Sequence, residues 1–141
     1  MAPRHVKTQK VDPSKAPVCF QRGRELLETT VEACDHERWS AAGVTAVHAA
    51  ISLTDALLIQ ERGLRCTSPQ HMDLVDLLGT ELPDVPDVKA AQKHLRHILS
   101  EKNRVEYEAR VVSEKDARNM LQHLQRFADW VNRQRTERPA S

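Results

Sequence analysis

Apolar positions recur every three or four residues along most of this chain, the spacing of one helix face, and show no strand-like alternation with polar ones. Five helical segments follow from that pattern. The first, over about 15–34, places Phe20, Gly23, Leu27, Val31 and Cys34 on one stripe. A glycine on the apolar face predicts that a neighbouring helix comes close there. The second, over about 40–62, carries only His48 and Asp55 as ionisable side chains between Ser40 and Ile59. A helix apolar almost all round is surrounded by others, so this one is expected at the centre, ended by Gly63.

The third helix is predicted after Ser68, with Pro69 in its first turn and Gly79 at its stop. Pro83 and Pro86 keep the next stretch a loop. The fourth runs through Val88, Ala91, Leu95, Ile98 and Val105 in one series that includes position 102, which turns Lys102 toward the packed side. Ser113 and Asp116 resemble a capping box for the last helix, whose stripe is Ala117, Met120, Leu121, Leu124, Phe127 and Val131. The expected fold is all-α, an antiparallel helical bundle of four to five helices. A flexible basic leader is expected over 1–14, the bundle over 15–135, and a flexible tail over 136–141.

A chain of 141 residues suits one domain with a single core. With only two Trp, two Phe and one Tyr, that core must come mainly from Leu, Val, Ile and Ala, which favours helices over sheets. Cys19, Cys34 and Cys66 are odd in number and lack the paired spacings of disulfide frameworks or zinc ribbons. They are expected as reduced thiols in a cytoplasmic protein. The polar start has no signal-peptide core, and no run approaches the roughly 18 apolar residues of a membrane span.

The formal charge of +1 hides a division: 1–15 carries +3, 126–141 carries +2, and 16–125 carries −4. A body of that sign disfavours gripping RNA by general electrostatics and leaves local patches or the tails for any such contact.

The candidate chemistry centres on Lys102, Asn103 and Tyr107. Asn103 and Tyr107 lie one turn apart on a common face, with Lys102 rotated about 100° toward the apolar stripe. An ammonium at the core edge beside an amide donor suits a phosphate; alternatively Lys102 pairs with Glu106 and Tyr107 packs with its hydroxyl in water. Arg104 joins His48 and Asp55 as a candidate ligand-binding residue. His48, Ser52 and Asp55 share one side of the central helix, forming either a hydrogen-bonded interhelical network or a groove in which Lys102 neutralises Asp55.

Arg118, Asn119 and His123 repeat an arginine-to-histidine spacing, and Arg65 with His71 does so more loosely. His94 and His97 share a face and would need His123 or a carboxylate to hold a metal, so surface histidines are the plainer reading. No Gly-rich phosphate loop, nucleophile elbow or HExxH helix is present in the sequence, and no metal or cofactor is implied.

The order of helices, the segment VHAAISLTDALLIQERG, the histidine-containing third helix, and KNRVEY before a final helix opening with SEKDA together resemble the HEPN domain, over about residues 15–135. The resemblance implies a helical bundle, often a homodimer, that binds nucleotides or RNA or acts as a metal-independent endoribonuclease through an arginine, an asparagine and a histidine. Lys102, Asn103 and Tyr107 fall on that motif with two of its three residues changed.

Lysine lacks the two-pronged contact of arginine. A phenol of pKa near 10 is a poor substitute for an imidazole near 6.5. The resemblance therefore implies a binding module degenerate as a nuclease, in a bacterial toxin-antitoxin or defence setting. A nucleotidyltransferase or other operon-encoded protein is the implied partner, although Ala109 occupies the place where some relatives carry a tyrosine that such a partner modifies. The alternatives are a working endoribonuclease, with Tyr107 or His123 moving the proton, and a purely structural interaction bundle.

Overall fold

The computed structural model describes residues 5–106 and 111–136, apart from the side chains of Asn103, Glu106 and Thr136. It is an all-α bundle of α1 (Ala16–Asp35), α2 (Trp39–Arg62), α3 (Asp73–Glu81), α4 (Val88–Ser100), α5 (Lys102–Glu106) and α6 (Glu114–Thr136). Helix α2 packs against all five other helices, the central place its apolar circumference predicts. Alanines 46, 49, 50 and 56 let neighbours approach, while Val47, Leu57 and Leu58 fill the space between them, all fully buried. The core continues into Leu78, Leu95, Leu124 and Phe127.

By length and hydropathy alone α2 passes as a membrane span, contrary to the expectation from its sequence: an 18-residue window averages 1.6. Yet 72% of that window is buried inside the bundle, the arrangement of a core helix.

Gly23 does mark a close approach, since a Cβ there would lie 2.6 Å from the Leu53 side chain. Two turns further along α1 and two turns back along α2 the contact becomes polar, where the hydroxyls of Thr30 and Thr45 share a 2.7 Å hydrogen bond. Gly63 ends α2 in the left-handed region at φ 61°, its N–H bonded to the Ile59 carbonyl. The capping residue of α6 is also as expected, with the Asp116 N–H donating to Ser113 Oγ at 3.1 Å.

Three features differ from expectation. The segment expected as a leader is built into the domain: β1 (Thr8–Lys10) pairs antiparallel with β2 (Leu64–Cys66), Thr8 opposite Cys66, and a 3-10 turn at Pro13–Lys15 leads into α1. Extended residues after the Gly63 turn expose a ladder edge, and the N-terminal segment covers it. Helix α3 starts later, at Asp73, and runs past Gly79. There the glycine makes room for the Gln92 side chain, whose amide donates to the Val75 carbonyl at 2.8 Å.

The fourth helix is broken at Glu101, whose N–H bonds the Ile98 carbonyl in a tightened turn. Lys102 therefore opens a new short helix instead of continuing the α4 stripe. Val105 seats α5 on α2 at Gly43, where a Cβ would stand 3.0 Å away.

Candidate functional site

Helices α4 and α6 lie side by side, and their facing histidines meet. His94 and His97, one turn apart on α4, flank His123 of α6. The Nδ1 atoms of His94 and His123 are hydrogen-bonded at 2.9 Å, and the rings of His97 and His123 stack with centroids 3.9 Å apart. One member of the Nδ1 pair donates and the other accepts, so a proton sits between two imidazoles.

Burial lowers the pKa of His94, with the cations of Arg126 and Lys93 adding to it. Burial likewise lowers that of His123, helped by His97 and His94. The pair thus favours the neutral form and takes up a proton only at a lower pH than a free imidazole does. Beside it runs a groove of about 250 Å³ between the two helices, lined by His94, Arg126, Arg133 and Trp130 and also by Asp87 and Asp129. The Trp130 indole donates to the Pro86 carbonyl at 2.7 Å and fixes the α3–α4 loop at the end of this groove. The cluster gathers donors and latent positive charge, which suits a phosphate. Among the described residues no group of His, Cys, Asp or Glu has the arrangement of a metal site.

The α5–α6 joint is built differently. Arg104 extends one terminal nitrogen to Glu101 and the other to Asp116, both at 2.9 Å, and so ties the two helices together. Both ends of its guanidinium are occupied by carboxylates of the protein itself. Arg118 bonds Glu114 at 2.8 Å and lies 4.9 Å over the Trp39 ring at the start of α2. It therefore faces α2, whereas His123 faces α4; the two residues of the literal arginine-to-histidine spacing contact different neighbours.

A six-helix bundle with an apolar central α2 is compatible with many activities, and the deciding observation is a family model. The model of the HEPN domain matches residues 16–134. The chain belongs to the HEPN family. Comparison with curated proteins and with solved structures gives no match. Membership makes the chain a module of the nucleotide-binding, ribonuclease-like kind in general terms.

Within this HEPN bundle the motif residues are distributed as follows. Lys102 is half-buried at the first position of α5. The Asn103 side chain and Tyr107 lie outside the described residues. His48 is exposed, whereas Asp55 is half-buried, with its carboxyl pushed up to about 6 by burial against the opposing pull of Arg65 and Arg22. Its cationic neighbours are these two arginines, from β2 and α1, in place of the expected Lys102. Lys102 belongs to the α5 region seated at Gly43, twelve residues or roughly 18 Å along α2 from Asp55.

Arg65 and His71 do come together, in the wall of one cavity with Asp55. All three thiols are free, and burial pushes each of them up. Arg126 escaped the sequence reading, although its spacing of three from His123 put it on the same side of α6.

Proposed function

We propose that this HEPN module binds RNA or a nucleotide through phosphate groups on the α4–α6 face, as a homodimer, without cutting it. The observation that carries the reading is the meeting of His94, His97 and His123 beside Arg126 and Lys93. A body of net negative charge needs a local patch to hold a polyanion, and this face supplies one. Neutral imidazoles donate hydrogen bonds to phosphate, and protonation strengthens the hold. Weighing against cleavage, Arg104 and Arg118 are engaged by carboxylates, and Arg118 and His123 face different helices. A cytoplasmic, bacterial regulatory or defence setting, with a nucleotidyltransferase or another operon-encoded partner, completes the proposal.

One geometric feature favours a second reading. The His94–His123 pair puts two imidazoles, the groups able to take and give a proton near neutral pH, within 2.9 Å of each other. Metal-independent phosphodiester cleavage needs one such base and one such acid at the phosphate. Labelled RNA incubated with the protein in chelator, followed by anisotropy and analysis of ends, separates the two. Binding without new ends is expected, with affinity about tenfold lower in Arg126→Ala. New ends that vanish in His123→Ala establish the second reading. New ends that vanish in Lys102→Ala move the centre back to α5.

A further inference from the structure

Away from the α4–α6 face, a second polar cavity of about 160 Å³ opens between α2, β2 and the start of α3. Asp55 projects into it from α2, Arg65 and Cys66 from β2, and Ile51 and Leu74 provide its apolar surface. Three facts about these walls bear on what they hold.

The Asp55 side chain is half-buried, and no hydrogen bond or ion pair holds it among the described residues; Arg65 and Arg22 act on it only at longer range. A buried carboxyl without a partner is costly, and such groups collect at binding sites. Arg65, of opposite charge, stands in the same wall without forming a salt bridge to it. Finally, β2 is fixed by pairing with β1, Arg65 opposite Gln9, and by the Thr67 N–H donating to the Lys7 carbonyl at 3.0 Å. The guanidinium is thus carried by a backbone pinned along its length to the N-terminal segment.

A plain cation suited to Asp55 meets the repulsion of Arg65, and a plain anion suited to Arg65 meets that of Asp55. A small dipolar molecule with both charges satisfies the two together. The volume points the same way, since sites for drug-sized ligands span roughly 300–1,000 Å³ and this one is smaller. We propose that the cavity binds a small zwitterion of the α-amino-acid type, its ammonium on Asp55, its carboxylate on Arg65, and its side chain against Ile51 and Leu74. The site is independent of the phosphate-binding face.

The test is calorimetric titration of the full chain with the free L-amino acids, followed by the N-acetyl and carboxamide derivatives of any that bind. At least one amino acid is expected to bind, and each derivative, which removes one charge, to bind at least tenfold more weakly. Asp55→Asn and Arg65→Gln are each expected to weaken binding tenfold or more. The derivatives test the charge requirement on the unaltered protein, whatever the variants do to folding. Failure of every free amino acid to bind overturns the proposal, as does equal binding of both derivatives, or binding of a free purine base at this cavity in place of amino acids. Arg126→Ala, which weakens RNA binding under the proposed function, is expected to leave amino-acid affinity unchanged, so the two proposals fail separately.

Discussion

Gly23 shows how much one missing methyl group decides in this molecule. Its α-carbon faces Leu53, which is 6% exposed, and an added Cβ would stand 2.6 Å from one methyl and 2.7 Å from the branching carbon. Leu53 has little room to retreat, because its own helix is the centre of the bundle. Gly23→Ala is therefore expected to destabilise the fold by about 1–3 kcal/mol despite the better helix propensity of alanine. Urea unfolding monitored by circular dichroism measures it, and an unchanged or raised midpoint contradicts this account of the α1–α2 contact. Gly79 differs, because the atom in its way is the far end of a flexible glutamine.

Among the elements, α5 depends most on its surroundings. Five residues are too few to hold a helix by themselves. Val105 seated at Gly43 and the two arms of Arg104 keep it in place. The partners of Arg104 are partly exposed, so each arm contributes modestly. Arg104→Ala is expected to lower stability by about 0.5–1.5 kcal/mol while leaving RNA affinity within twofold. If affinity falls tenfold with stability unchanged, Arg104 is a ligand contact after all. The break at Glu101 was hidden in the sequence because the apolar series continues through it to Val105. A helical period records which positions are buried, and a helix followed by a second short helix buries the same ones.

At the scale of the whole molecule, two half-buried titratable sites give stability opposite dependences on pH. The His94–His123 pair has lowered pKa values, so its contribution is present above about pH 6.5 and is lost as the pH falls through the folded-state values. Asp55 is raised from 3.8 to about 6, so the folded state takes up its proton more readily. Its contribution is complete below about pH 4 and disappears as the pH rises through 6, with a limit of about 3 kcal/mol. Between pH 7 and 5 the two partly cancel. Asp55→Asn is expected to lose stability more steeply on acidification than the parent chain, and His123→Gln less steeply. Urea midpoints at pH 5, 6, 7 and 8 check this, and parallel profiles for parent and Asp55→Asn would falsify the assignment for Asp55.

The main helices, their order, the central place of α2 and the close approach at Gly23 were legible in the sequence, whereas the start of α3 and the break before α5 were not. Helix formation is local: it depends on spacings of three and four residues, on stop signals such as Gly63, and on caps such as Ser113. The small sheet was not legible, because three-residue strands are too short for alternation to register and their partners lie more than fifty residues apart. For the histidine cluster the shared face of His94 and His97 was legible, with His123 as one residue that could join them; that it does join them was not, since His94 and His123 are separated by 29 residues. Which faces of α4 and α6 meet depends on how each helix rotates to bury its own stripe against α2. The same packing turned Arg118 toward Trp39, gave Arg104 two carboxylates, and set Asp55 across a cavity from Arg65. The sequence by itself determined the main helices and the family. Only the tertiary structure decided which side chains become neighbours, because contacts between distant residues follow from the packing of whole helices.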